Sequence, residues 1–236
     1  MDGWREAQFQ ALLNAKSAED LFAVLSRTAH ELGFDYCAYG MRVPVPVTRP
    51  KVYLRNNYPV EWQRRYAQAG YLAIDPTVAH GVRSVMPLVW SDEVFTACRD
   101  FWEDARGHGL RVGWAQSCYN AKGVGTMMTF ARSHDDLSGA ELEARSAQMS
   151  WLVHAAHETL CPIVLATVAP EAGVGLSSRE IEVLRWTAEG KTSGEIGTIM
   201  SIAERTVNFH VNNSVVKLGA SNKTAATIKA AMLGLL

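Results

Sequence analysis

One helix-start pattern recurs three times between residues 177 and 236. Ser177 is followed by Glu180, Thr192 by Glu195 and Ser201 by Glu204. Each pair fits a capping box, in which the hydroxyl takes an orphan amide N–H and the carboxylate returns to the capping residue's own N–H. Gly190 and Gly219 close two of the intervals, where a left-handed cap is easiest for glycine. The pattern predicts short helices over about 178–189, 193–200, 202–218 and 223–235. The second and third are separated by a tight turn. That is the skeleton of a helix-turn-helix, whose second helix can lie in a DNA major groove.

On the 202–218 segment, Val207, Val211, Ser214, Val215 and Leu218 share one face, which would pack on Ile181, Leu184, Ile196 and Ile199. The opposite face carries Arg205, Asn208, Phe209, Asn212, Asn213 and Val216. It lacks the Glu and Lys of an ordinary solvated face. An asparagine amide donates and accepts together, which matches an adenine edge. Lys191, Thr192, Arg205, Thr206, Lys217 and Lys223 are placed to meet phosphates. The alternative is a four-helix protein-interaction module; the caps and the polar face favour DNA. Charge permits this without demanding it. From 176 onward there are seven Lys/Arg and five Asp/Glu, net +2, against a net −3 in the remainder.

The stretch CPIVLATVAPEAGVGL, beginning at Cys161, has prolines, glycines and no helical charge pattern. It reads as a boundary, giving domains 1–162 and 176–236 with a linker at 163–175. Residues 4–32 have helical spacing, with Phe9, Leu12, Leu13, Leu21, Leu25 and Leu32 inward. Strand-like runs follow at 36–43, 51–56, 84–90, 113–120 and 125–132. Helical patterns are expected at 59–70, 75–82 and 92–108, and from Ser138 to about Leu160. The fold class is therefore α+β: an N-terminal α/β/α sandwich with a central antiparallel sheet, and a C-terminal four-helix helix-turn-helix domain.

Tyr58, Trp62 and Tyr66 recur at i, i+4 and i+8, followed by Asp75 and by Trp90. From spacing alone such a stripe is core. Its polar atoms point elsewhere, because phenols, an indole and a carboxylate need partners when buried. A small ligand with an amide and a carbonyl would supply them. Trp62 N–H can only donate and suits a carbonyl oxygen; ionised Asp75 can only accept and suits an amide N–H. Tyr58 or Thr129 could donate to a second carbonyl. Met41, Val78, Leu88, Phe101, Trp102, Leu110 and Met127 would enclose an aliphatic tail.

Enzymatic readings are weaker. His154, His157 and Glu158 have metal-like spacing but no third element to complete a site, and they read as exposed decoration. No GxSxG occurs, and Gly107, Gly109 and Gly113 follow no phosphate-loop pattern. Cys37, Cys98, Cys118 and Cys161 are scattered, as expected of reduced thiols in the cytoplasm. No membrane-spanning stretch, signal peptide, cofactor or metal site is expected.

The segment LSSREIEVLRWTAEGKTSGEIGTIMSIAERTVNFHVNNSVVKLGASNKTAA resembles the helix-turn-helix of LuxR-type regulators, with Glu180, Leu184, Gly190, Glu195, Ile196, Thr206, Val207 and His210 at its hallmark positions. Separately, Trp62, Tyr66, Asp75, Pro76, Trp90 and Gly113 follow the signature of the autoinducer-binding domain of quorum-sensing members. NYPVEW, IDP, HG, FWE and GKTSGEIG are especially similar to an orphan-type receptor of that family. The resemblance implies a transcription factor that binds an N-acyl-homoserine lactone. Trp62 would bond the lactone carbonyl and Asp75 the amide, with Tyr58 and Thr129 near the acyl carbonyl and Tyr66 and Trp90 walling the ring and chain. It further implies a homodimer on a roughly palindromic promoter site, with RNA polymerase as a further partner. Ile228, Met232 and Leu235 could supply one dimer contact. Asn208 replaces a basic residue of many relatives, and Ala38 a serine of some.

Overall fold

The computed structural model describes residues 2–120, 123–170 and 175–236. The chain divides into two compact units, Met1–Met41, Val52–Tyr119 and Gly125–Val164 in one, and Arg42–Lys51, Asn120–Val124 and Leu165–Leu236 in the other. The division does not follow a single cut. The segment Arg42–Lys51 groups with the second unit, and Lys51 Nζ donates to the carbonyl of Val168 at 2.8 Å.

The first unit opens with helices α1 (Asp2–Asn14) and α2 (Ala18–Glu31). Ser17 separates them because its hydroxyl accepts from the Asp20 N–H and starts α2. Strands β1 (Tyr36–Val43) and β2 (Lys51–Asn56) come next, then α3 (Val60–Gln68), α4 (Pro76–Gly81), β3 (Leu88–Val89), α5 (Arg99–Gly107), β4 (Val112–Tyr119), β5 (Gly125–Arg132) and the long α6 (Gly139–Val168). The sheet order is β2-β1-β5-β4-β3, with β3–β4 and β4–β5 antiparallel.

Alternation along the strands builds two layers on this sheet. On one face Cys37 meets Ser26 of α2, Thr126 bonds His157 of α6 at 2.7 Å, and Phe130 contacts Phe34 and Trp114. On the other, Ala131 joins an aromatic cluster, and Met127 and Ser117 lie against Gly81 at the end of α4. The α/β/α sandwich is thus present. Met41, expected near a ligand tail, falls with Cys37 and Tyr39 on the face toward α2, because residues two apart on a strand point the same way.

Several other expectations change. Phe9 and Leu13 of α1 are exposed, while Leu12, Leu21, Leu25 and Leu32 are buried. The 84–90 run shrinks to two strand residues: Pro87 has no N–H for a ladder, and Val85 and Met86 face solvent. The 92–108 segment is helical only from Arg99, after a turn at Thr96–Cys98. His157 is buried rather than decorative, and burial lowers its pKa, so the neutral ring bonds Thr126.

Helix α6 runs through Pro162 to Val168, so part of the expected linker at 163–175 is helix; its residues 171–174 lie outside the described residues. Burial of Val164, together with Leu160 and Cys161, offsets the missing proline N–H. By length and composition α6 could also cross a bilayer, contrary to expectation. In this fold it is a core helix, with Met149, Leu152, Val153 and Ala156 buried.

The second unit carries α7 (Ser178–Ala188), α8 (Ser193–Met200), α9 (Glu204–Lys217) and α10 (Lys223–Met232). Capping boxes form at Ser177/Glu180 and Thr192/Glu195. The third does not. Ser201 takes a left-handed conformation (φ 55°) that closes α8, and Ala203 caps α9 without a side-chain bond. Only Ser201–Ala203 join the two helices, so one residue cannot end the first and also cap the second. Gly197 is needed at this bend, because a Cβ there would stand 2.8 Å from the Ile202 carbonyl. Val183, Ile196, Val207 and Val211 form one core cluster, and Leu184, Leu218, Ala226 and Ala230 a second. Ile199, expected inward, is exposed.

Glu180 also ties α7 to the end of α9. Its buried carboxylate accepts from Lys217 Nζ at 2.7 Å and from the Ser177 N–H at 2.7 Å. Burial pushes its pKa up, but the Lys217 and Ser177 bonds more than offset this and hold it below the usual glutamate value of 4.5. Lys217→Met leaves that buried carboxylate without its counter-charge, the Ser177 N–H remaining, and is expected to cost about 3 kcal/mol at pH 7. Because the folded pKa is depressed, the wild-type advantage is full above about pH 4.5 and fades as acid protonates Glu180. Denaturant melts at pH 7 and below pH 4 check this; an equal penalty at both would contradict it.

Candidate ligand-binding site and nucleic-acid interface

Beneath the sheet's second face lies an aromatic cluster of Trp62, Tyr71, Phe95, Phe101 and Trp102, with Tyr36, Tyr58, Tyr66 and Trp90 packed against it. Trp62, on α3, is 2% exposed. Its ring centroid lies 5.8 Å from Tyr66, 5.8 Å from Tyr71, 5.7 Å from Phe101 and 5.5 Å from His108. Tyr58 precedes α3 instead of extending its face, and stands edge-on to Tyr36 at 6.0 Å.

Trp90 lies flat on β4. Its backbone N–H donates to the Gly113 carbonyl at 2.8 Å, and a Cβ on Gly113 would sit 2.3 Å from the indole ring. Only glycine lets the ring approach so closely. Trp90 Nε1 is buried with no hydrogen-bond partner among the described residues. Phe95 stacks on Trp102 at 4.3 Å, and Trp102 Nε1 donates to Asp92 at 2.6 Å. Thr129 is buried on β5, two residues from Ala131 and from Met127, on the same strand face.

Asp75 is the N-cap of α4, with Pro76 at the first helical position, a placement favoured by proline's fixed φ. Its Oδ1 accepts from the Thr77 N–H at 2.8 Å and from the Thr77 hydroxyl at 2.7 Å. Its Oδ2 accepts from the Tyr66 hydroxyl at 2.9 Å. The protein therefore already partners Asp75 and Tyr66, which the sequence left in need of a ligand. The Val78 backbone N–H also favours the charged carboxylate. Among the described residues Oδ2 has Tyr66 as its one donor within hydrogen-bond distance, and with about two lone-pair sites per oxygen it retains room for one more. Burial raises the Asp75 pKa; the Thr77 and Tyr66 bonds pull it back only in part. Burial likewise raises Tyr66 and Tyr58, with the Asp75 charge adding to each.

In the second unit, Arg205, Asn208 and Asn212 stand exposed on α9, and Thr206 is half-buried. Lys191 and Thr192 are exposed before α8. The Thr192 hydroxyl donates to Glu195 within its cap. Lys217 departs from the phosphate-facing expectation, because its ammonium is held by Glu180. Ile228 of α10 is exposed, and Met232 and Leu235 are partly so.

Residues 17–160 match the family model described as the autoinducer binding domain, and residues 174–230 that of bacterial regulatory proteins of the luxR family. The chain belongs to the LuxR family. The regulator is 48% identical to the transcriptional activator AnoR of Acinetobacter nosocomialis, over 100% of both chains. The structure of Escherichia coli SdiA in complex with octanoyl-rac-glycerol superposes with a TM-score of 0.87 at 36% identity, covering 99% of this chain and 95% of that one. CepR2 of Burkholderia cenocepacia, an N-acylhomoserine lactone dependent LuxR family factor, gives 0.62 at 35% identity over 66% and 92%. These likenesses make the protein a ligand-responsive transcriptional regulator.

Three residues of this candidate site escaped the sequence. Tyr71, whose hydroxyl donates to Asp104, and Phe95 sit in or beside single 3₁₀ turns that follow neither helical nor strand period. Thr77 carried a usable signal, since Asp-Pro-Thr is a helix start whose first residue accepts from the third.

Asp75→Asn keeps an acceptor for Thr77, and its amide can donate to the Tyr66 oxygen. Because burial raises the Asp75 pKa, the wild-type charge opposes folding above the usual aspartate range, and stability rises as pH falls through the raised value. The variant is expected to melt no lower than wild type at pH 7 without ligand, and to lose that acid-side gain. A loss of more than about 1 kcal/mol at pH 7, the size of one hydrogen bond, would contradict this.

Proposed function

We propose that the regulator binds an N-acyl-homoserine lactone through residues 1–162 and, as a homodimer, binds a roughly palindromic promoter site through residues 176–236, acting in quorum sensing in the cytoplasm. The observation that carries the ligand reading is the Asp75 carboxylate, held on two sides by Thr77 and Tyr66, tied through Tyr66 to an aromatic cluster, with Oδ2 able to take one more donor. An acyl amide N–H fits that position. The Trp62 indole N–H then donates to the lactone carbonyl, and Tyr58 and Thr129 face the acyl carbonyl. Tyr66, Trp90, Phe101, Trp102 and Met127 enclose the ring and chain. The lactone dependence of CepR2 supports this choice.

The lactone acts as part of the core. Unfilled, the site leaves the Asp75 charge opposed by burial and apolar surface unpacked, both costly. Binding stabilises the folded chain by mass action and favours the dimer. Two linked recognition helices then bind DNA at raised effective concentration. Arg205, Thr206, Lys191 and Thr192 serve the phosphates, while Asn208 and Asn212 read bases. Recruitment of RNA polymerase would follow, and no step requires catalysis or a cofactor.

A second reading rests on SdiA, whose complex holds an octanoyl glycerol. Such an ester has a carbonyl and hydroxyls but no amide N–H. Melting curves with acyl-homoserine lactones of increasing chain length, and with octanoylglycerol, separate the two. At least one lactone is expected to raise the melting temperature by several degrees, as a stabilisation of about 3 kcal/mol at a hundredfold excess over Kd implies for a chain this size. Trp62→Phe should weaken that lactone about tenfold, the equivalent of one hydrogen bond. A response to octanoylglycerol with none to any lactone would favour the ester; silence to both would sink the reading.

A further inference from the structure

The buried face of α9, with Val207, Val211 and Ser214, accounts for how the helix is held. The opposite stripe is different. Arg205, Phe209, Asn212 and Val216 recur at helical spacing and are all exposed. Phe209 is 59% exposed, and its ring contact is with the adjacent His210 at 5.6 Å, edge-on. A lone exposed phenylalanine is ordinary on a protein surface. This one stands in the second turn of the helix, between an arginine and an asparagine, on the face assigned above to DNA. The N-terminal turns of a recognition helix are those that reach base edges.

The major groove offers one apolar feature among its donors and acceptors, the C5-methyl of thymine. An aromatic ring there gains contact only from that group. Asn208 is adjacent to Phe209, and Asn212 lies three residues on, about 4.5 Å along the axis. Successive bases on a strand are about 3.4 Å apart. The ring therefore reaches within one or two steps of a base that an asparagine can read. We propose that Phe209 is a specificity residue that packs on a thymine methyl in each half-site, next to an adenine read by Asn208 or Asn212. This rests on the DNA-binding reading above.

The test uses the full-length, lactone-bound protein. A preferred duplex is selected from random sequence, and each thymine is then replaced in turn by deoxyuridine, which removes only the methyl. Wild type is expected to lose about fourfold in affinity at one thymine per half-site, the worth of one buried methyl-sized group. Phe209→Ala, with a melting temperature matching wild type, should bind the all-thymine site about tenfold more weakly and lose sensitivity at that position alone. Phe209→Leu should regain part of both, and Val216→Ala should keep the wild-type pattern. Indifference of wild type to every replacement would overturn the proposal. So would a Phe209→Ala protein that keeps the same sensitive position, or one that binds DNA as wild type does but fails in transcription, which would turn the ring toward a protein. If no duplex is selected at all, DNA binding itself fails, a result distinct from a selected site that is blind to methyl groups.

Discussion

A single carboxylate beside an aromatic cluster sets the terms for the first unit. Asp75 lies where burial opposes its charge, and donors from Thr77, Tyr66 and the Val78 backbone hold it without cancelling that opposition. Each donor depends on a neighbouring element. Thr77 is in reach because Pro76 starts a helix directly after the acid, and Tyr66 because α3 places it on the same side as Trp62. The rings in turn need the sheet behind them. Trp90 can lie on β4 only because Gly113 has no side chain. The site is thus a strained balance of polar demand and apolar packing, of the kind that an added donor would relieve.

The second unit solves a different problem, that of fixing short helices that could not persist alone. Two capping boxes satisfy their first amides, and Glu180 serves twice, capping α7 and holding Lys217 at the far end of α9. With the inner face fixed by valines and that ion pair, the outer face of α9 is free of structural duties. Its asparagines, arginine and phenylalanine are left for a partner.

Much of this was legible in the chain because it depends on local rules. Alternation placed four strands nearly to the residue, and helical periodicity with caps placed the last four helices. What failed did so where neighbours compete for one residue or where no period exists. Ser201 has the spacing of a cap, but a three-residue turn assigns it to the helix before. Pro162 reads as a boundary, yet burial of Val164 carries α6 past it. At the site, Trp62, Tyr66 and Asp75 were visible as residues in want of partners. The sequence did not show that Tyr66 and Thr77 would answer Asp75 from within, since that depends on the turn between two helices. Phe95 and Tyr71 lie in irregular segments whose contacts only the fold defines.

The central claim is that the open position on Asp75 is made for an amide N–H. A double-mutant cycle addresses it directly, pairing wild type and Asp75→Asn with the best-bound acyl-homoserine lactone and its N-methylated analogue, by calorimetry. The account predicts that N-methylation weakens binding to wild type at least tenfold and that Asp75→Asn is nearly indifferent to it. Equal losses from N-methylation in both proteins would show that the acid and the amide do not meet.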